Sequence, residues 1–224
     1  MTDDEQPRQR YRIAFARDAI GAALAQRDTI EAWEAAVTAA GLPVQHHGAG
    51  LRPRLVLGAP LPVGVLGRRE LFDVFLVERR PVSELLERLR AAAPAGHTIV
   101  DAWDVWLGEP ALPGRLVAAE YRIELDRPPG WETLADAARR LLEARSLPRS
   151  RARSGATAGY DLRPFIDSIA LEPERSNSLC VTMTIDPNRG AGRPEEVLAA
   201  LGDAIGEPLR PLRVVRERLV LAGD

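Results

Sequence analysis

The sequence predicts an α+β fold in which one pattern of strands and helices is used twice, and three observations carry that prediction. Segments return in the same order at nearly constant spacing: "YRIAF" at Tyr11 as "YRIEL" at Tyr121, "LRP" at Leu51 again at Leu162, and "RPVSELL" at Arg80 as "RPEEVLA" at Arg193, offsets of 110, 111 and 113 residues. Collinear echoes of this kind are the mark of an internal repeat. The apolar period alternates between 2 and 3.6 in the same sequence in each half. Between the halves lies "LGEPALPGR", residues 107–115, whose prolines and glycines read as a linker.

Each element of the first half has its own reason. "YRIAFA" alternates as a strand. "DTIEAWEAAVTAAG" reads as a helix capped by Asp28 with Glu31 three residues on, and stopped by Gly41. "RLVLGA" and "LFDVFLVE" read as strands, "PVSELLERLRAA" as a helix with Pro81 in its first turn, and "HTIVDAWDVWL" as a closing strand. The second half repeats the order. "LVAAEYRIEL" is a strand, "WETLADAARRLLEAR" a helix, "FIDSIAL" and "LCVTMTI" strands, "RPEEVLAALGDAI" a helix and "LRVVRERLVL" the last strand. The order β-α-β-β-α-β is that of ferredoxin-like domains, in which two helices cover one face of a four-stranded antiparallel sheet. The expectation is therefore a tandem duplication of two ferredoxin-like domains, residues 11–106 and 116–224, with a flexible N-terminus over 1–10 and the linker at 107–115.

Composition narrows the chemistry. With 46% hydrophobic and 28% charged residues the 224-residue chain is expected to pack rather than stay disordered. A formal charge of −2 gives no overall cationic field, so an anionic partner must meet a local patch. All basic residues are arginine, which removes lysine Schiff-base and general-base chemistry. The single cysteine, Cys180, excludes an internal disulfide, and its alternating context "SLCVTMTID" reads as a core strand. The polar first residues and the lack of a long apolar run predict no signal peptide and no membrane span, hence a cytoplasmic protein. The sheet and helix faces account for Trp33, Trp103, Trp106, Phe72, Phe75 and Val74 as packing residues, and Tyr11 and Tyr121 as core or sheet-edge residues.

Charge then points to two connections. No Asp or Glu occurs from Ala35 to Arg69 or from Ala144 to Tyr160, and both stretches join the first helix to the second strand of a half. The second, continued to Pro164 as "ARSLPRSRARSGATAGYDLRP", carries Arg145, Arg149, Arg151, Arg153 and Arg163 against Asp161 alone, interspersed with Ser, Gly and Thr. Planar guanidiniums offer paired donors to phosphate, and small residues let backbone N–H groups approach. The first contains Gly48 and Gly50, which permit a tight loop, and Arg52 and Arg54 around Pro53. Pro53 and Pro164 are expected to hold Arg52 and Arg163 extended in both halves, with Asp161 pairing locally to fix the turn. The second connection is expected to be structureless. His46 and His47 are the adjacent titrating pair, able to act as a general base in RNA cleavage or simply to bond a phosphate. No metal-ligand spacing, nucleophile elbow or phosphate-binding loop accompanies them, and neither metal nor organic cofactor is expected.

Taken together, "YRIAFAR", the helix end "AGLPV", "GLRPRLVLGAPLPVG", "ELFDVFLVE" and "YDLRPFIDSI" resemble the bacterial radical SAM-linked protein family, a domain of unknown function. Members are fused to, or encoded beside, a radical SAM protein, sometimes near ribonuclease E/G. The resemblance implies an accessory role with such an enzyme in modifying or processing RNA. Two places depart from the family pattern. Ala25, Gln26, Arg27 and Asp28 stand where Ser-His-Leu-Asp is usual. "HHGAGLRPR" replaces Ser-Gln-Gly-Phe-Asn-Pro-Arg-Pro, keeping Gly48, Arg52 and Pro53. Chemistry performed by the missing residues in relatives is expected to be altered or lost here. The glycine-rich loop is also similar to those of CRISPR RNA-processing proteins built from tandem ferredoxin-like domains. The expected function is an RNA-binding accessory module that contacts phosphates through Arg52, Arg54, Arg149, Arg151, Arg153 and Arg163. Two alternatives stand beside it: a metal-independent RNA endonuclease using His46 or His47, and a pure protein-interaction partner of the radical SAM enzyme.

Overall fold

The computed structural model describes residues 6–47, 52–153, 156–172 and 177–223, with backbone alone for 151–153 and 156–158. The chain divides into two compact units, Met1–Leu116 and Val117–Asp224. Both mix helices with antiparallel sheet.

In the first unit, strand β1 (Gln9–Arg17) is followed by a one-turn helix α1 (Ala19–Ala22) and by α2 (Gln26–Ala39). Short strands β2 (His46–His47), β3 (Arg52–Pro53) and β4 (Leu55–Leu57) precede β5 (Leu66–Leu76), helix α3 (Val82–Ala92) and β6 (His97–Val105). The sheet order is β4-β5-β1-β6, each neighbour antiparallel. Strand alternation assigns the two faces. Tyr11, Ile13 and Phe15 of β1 join Phe72, Val74 and Leu76 of β5 against Trp33 and Val37 of α2 and Leu85 and Leu89 of α3. The residues between them, Arg10 and Arg12, therefore lie on the side away from the helices.

The segment expected to be a linker is docked on the first unit. Its one-turn helix α4 (Leu112–Arg115) lies against β4, and Leu112 is fully buried. Arg10 donates to the carbonyls of Glu109 at 2.8 Å and Pro110 at 3.1 Å. Residues 106–115 thus run as a strap from the end of β6 across β1 to β4, over the helix-free face.

The second unit runs β7 (Leu116–Leu125), α5 (Trp131–Glu143), a hairpin of β8 (Pro148–Arg153) and β9 (Ala156–Asp161), a 3-10 turn (Arg163–Phe165), β10 (Ile166–Leu171), β11 (Ser178–Asp186), the short β12 (Gly190–Ala191), α6 (Pro194–Ile205) and β13 (Pro211–Leu221). Its sheet order is β10-β11-β7-β13, with β12 on the end of β11. Tyr121, Ile123, Val181 and Met183 are buried, as are Leu134 and Leu141 of α5 and Leu198 and Leu201 of α6. α6 stops at Gly206, whose φ of +89° is the left-handed conformation that a side chain disfavours.

Four local expectations are corrected. Asp28 does not cap α2: the helix begins at Gln26, Asp28 lies within the first turn where its charge suits the helix dipole, and Asp18 caps α1 instead. The stretch Pro148–Asp161 is a hairpin and not a structureless loop. Arg163 is not extended, because Leu162 is helical and residues 163–165 form a 3-10 turn, whereas Arg52 is in a strand. Trp106 is not a packing residue: it lies beyond the end of β6 and is 77% exposed. Among the described residues no helix is long and apolar enough to cross a membrane.

Candidate nucleic-acid interface

The first connection closes on the end of β5. Val44 bridges to Leu76, Gln45 N–H donates to the Phe75 carbonyl at 2.7 Å, and Arg54 N–H donates to the Gln45 carbonyl at 2.7 Å. These bonds set the pairing of β2 with β3, His46 opposite Pro53 and His47 opposite Arg52. Both histidines are exposed and Pro53 is buried. Arg52 reaches Glu34 at 3.4 Å and Glu31 at 3.8 Å on α2, so its charge is already shared with carboxylates. Arg54 lies flat over Phe75, 3.9 Å from the ring centroid, and donates to Gln45 Oε1 at 2.8 Å. Gly48 and Gly50 lie outside the described residues.

The second connection is built on Asp161. Its Oδ1 accepts the Leu147 N–H at 2.7 Å and the Arg163 N–H at 3.0 Å, tying the base of the β8–β9 hairpin to the 3-10 turn. Those two backbone donors, Leu147 first, hold the Asp161 carboxyl below the usual carboxylate range. Arg163 is a structural residue. Its Nε and Nη2 donate to the Leu142 carbonyl at 3.1 and 2.7 Å, and Nη1 to the Ile166 carbonyl at 2.6 Å, which caps the last turn of α5. Pro164 sits exposed in the 3-10 turn. Along the hairpin Arg149 pairs with Tyr160, Arg151 with Ala158 and Arg153 with Ala156. Arg149 Nη1 meets Asp203 of α6 at 2.7 Å. The side chains of Arg151 and Arg153 lie outside the description. Arg149, Arg151 and Arg153 occupy every second position of β8, the spacing of one strand face.

The other titrating residues have interior roles. His97 is buried against Phe15 and Trp33, with Nδ1 3.1 Å from the Ala95 carbonyl, and burial lowers its pKa. Tyr11 donates its hydroxyl to the Arg80 carbonyl at 2.7 Å. Cys180 is half-buried on β11 with Sγ 3.5 Å from Glu172, and burial pushes its thiol up, away from thiolate chemistry. Among the described residues no cluster of three or more His, Cys, Asp or Glu side chains could hold a metal ion.

Sequence reasoning missed a charged cluster under the strap. Arg12 donates to Asp73 at 2.8 Å and Arg10 to the same carboxylate at 3.0 Å, and Arg10, Arg12 and Asp73 are each at most 2% exposed. Glu109 approaches Arg12 at 3.4 Å and Arg115 at 2.9 Å. Burial alone would lower the Arg12 pKa, and the bond and charge of Asp73, aided by Glu109, more than offset it. The signal was present: Arg10 and Arg12 alternate with core residues of β1, and Asp73 interrupts the apolar run "LFDVF".

Two solved structures similar to the chain are distant from it in sequence. It aligns with a crystal structure of a Cbf5-Nop10-Gar1 complex at 10% identity and a TM-score of 0.48, covering 94% of this chain and 50% of that one. It aligns likewise with the archaeal box H/ACA sRNP Nop10-Cbf5 complex at 11% identity and 0.46, covering 94% and 49%. The chain spans about half the length of the chains it matches. No curated protein matches the sequence significantly. Residues 10–194 match the family described as an uncharacterized protein conserved in bacteria (DUF2344), and with most of its length in that match the chain belongs to this family.

Proposed function

We propose that this chain is an RNA-binding accessory module that serves a radical SAM enzyme, and that its principal RNA contact is the β8–β9 hairpin. One observation carries the reading: a two-stranded ribbon with arginine at 149, 151 and 153 on one strand and small residues at 156, 158 and 159 on the other. A phosphate backbone is a line of charges, and arginines at alternate strand positions, whose Cα atoms are about 7 Å apart, suit its repeat without reading bases. Arg52, Arg54 and Arg149 are secondary contacts, since each already has partners on its own unit, which leaves Arg151 and Arg153 as the principal ones. The radical SAM partner follows from the family resemblance of "YDLRPF" and "GLRPR". We also read the two units as duplicated ferredoxin-like domains, supported by the matching sheet orders β4-β5-β1-β6 and β10-β11-β7-β13.

The test is fluorescence anisotropy with a labelled single-stranded RNA across a salt series. Wild type is expected to lose affinity steeply with salt, and Arg151→Ala with Arg153→Ala to weaken binding and flatten the salt slope by about two phosphate contacts. Binding that is absent, or indifferent to salt and to the double substitution, rejects the reading. RNA cleaved in EDTA, and spared in a His46→Ala, His47→Ala variant, would replace it with the endonuclease.

A further inference from the structure

Arg10 and Arg12 share the single carboxylate of Asp73 on the helix-free side of β1, all three buried. Two guanidiniums on one carboxylate leave a net positive charge where water is scarce, softened by the two carbonyls that Arg10 reaches and favourable to a further anion. That anion comes from the strap. Glu109 lies 3.4 Å from Arg12 and 2.9 Å from Arg115, and its side chain is 23% exposed. The Arg12 contact with Asp73 is 2.8 Å, so Glu109 is the looser of the two acids on Arg12. The stretch that carries Glu109 is held by polar contacts, the ion pairs of Glu109 and the Arg10 bonds to the Glu109 and Pro110 carbonyls, rather than by buried apolar side chains. Trp106 and Leu107 are exposed, while Leu112 beyond it is fully buried and α4 lies against β4.

We propose that Arg12 and Arg115, with Arg10 behind them, form a phosphate-binding site whose resident occupant is the Glu109 carboxylate, and that a phosphate group displaces Glu109, draws Arg10 off the Glu109 and Pro110 carbonyls and so frees the Trp106–Pro110 stretch. A phosphate brings more charge and more acceptor oxygens than a carboxylate, and paired guanidinium donors suit it. Leu112 and α4 keep the far end docked while the near end opens. The inference deepens the RNA reading by naming a second phosphate site, but it stands on different residues and is tested separately.

Glu109→Gln in the full chain removes the charge and keeps the size. Calorimetric titration with inorganic phosphate at fixed ionic strength is expected to give this variant about tenfold tighter binding than wild type. Adding Arg115→Ala is expected to abolish the gain. Wild type is read by hydrogen exchange of the amides between 106 and 110, expected to be faster with phosphate or a short RNA than with chloride of equal ionic strength. That measurement decides the matter if Glu109→Gln fails to fold. Equal phosphate affinity in wild type and variant, or strap exchange indifferent to phosphate, overturns the site. A response to inorganic phosphate without one to RNA keeps the site and assigns it to free phosphate. RNA bound by the hairpin with the strap unresponsive to both ligands removes the site and leaves the hairpin reading intact.

Discussion

Arg12 and Arg122 hold the same place in the two echoed strands, yet the acids they meet are arranged in opposite proportion. In the first unit two arginines converge on Asp73, and the missing negative charge is brought in by Glu109 from the strap. In the second, Arg122 meets two acids, Glu172 at 2.5 Å and Glu217 at 2.9 Å, both from its own unit. Burial differs as well: Arg12 is 2% exposed, Arg122 20%. The same sequence position thus serves as a buried charge junction in one unit and a half-wet ion pair in the other. What a residue does here depends on the acids supplied by neighbouring elements rather than on its own strand.

The comparison is broken most severely by removing its central acids. Asp73→Ala leaves two guanidiniums buried without their shared carboxylate and is expected to cost about 3–5 kcal/mol. Glu172→Ala leaves Arg122 with Glu217 and partial water, and is expected to cost under about 1 kcal/mol. Urea unfolding of the two variants measures both, and similar losses would erase the distinction. Next is the strap, which has a plug at its far end. Leu112→Ala empties a fully buried site and is expected to cost about 2–4 kcal/mol by the same measurement.

These contrasts also show which parts of the molecule were readable in the sequence. Strands and helices whose apolar period is set by a core, such as "YRIAF", "LFDVFLVE" and "WETLADAARRLLE", fall close to where the pattern puts them. Elements without a core to satisfy do not announce themselves. The β8–β9 hairpin is mostly arginine, serine, glycine and alanine, and its pairing is set by backbone bonds and by Asp161 at its base, so its composition imitates a loop. The strap is rich in proline and glycine and imitates a linker, because the groups that dock it, Arg10, Arg12 and Leu112, are widely separated in sequence. Identical tripeptides can diverge for the same reason. Leu-Arg-Pro is strand at 52–53, where β2 offers a partner, and a 3-10 turn at 163–165, where helix carbonyls await a donor.

That divergence sets a smaller prediction. Arg163→Gln shortens the donor and leaves the Leu142 and Ile166 carbonyls without their guanidinium, an expected loss of about 1–3 kcal/mol. Arg52→Gln removes an exposed pair with Glu31 and Glu34, and a loss under about 1 kcal/mol is expected. Thermal unfolding of the pair ranks the two Leu-Arg-Pro sites, and a larger effect at Arg52 would reverse their assignment as exposed contact and structural cap.

The smallest effect separates the two connections by pH. Asp161 carries a pKa held low by the Leu147 and Arg163 amides, so its contribution to folding is present above the ordinary carboxylate value and is lost as pH falls through the lower, folded one. The first connection has no counterpart, since no acid occurs from Ala35 to Arg69 and the Arg54 amide is held by a backbone carbonyl that does not titrate. Amide exchange, corrected for its intrinsic pH dependence, is therefore expected to show Leu147 and Arg163 losing protection on acidification while Arg54 keeps its own. Asp161→Asn retains an acceptor oxygen without the charge, so its Leu147 protection should be weaker at neutral pH and flat into acid. If Leu147 and Arg54 lose protection together in wild type, acid is acting on the chain as a whole and the Asp161 clamp is not what holds the hairpin base.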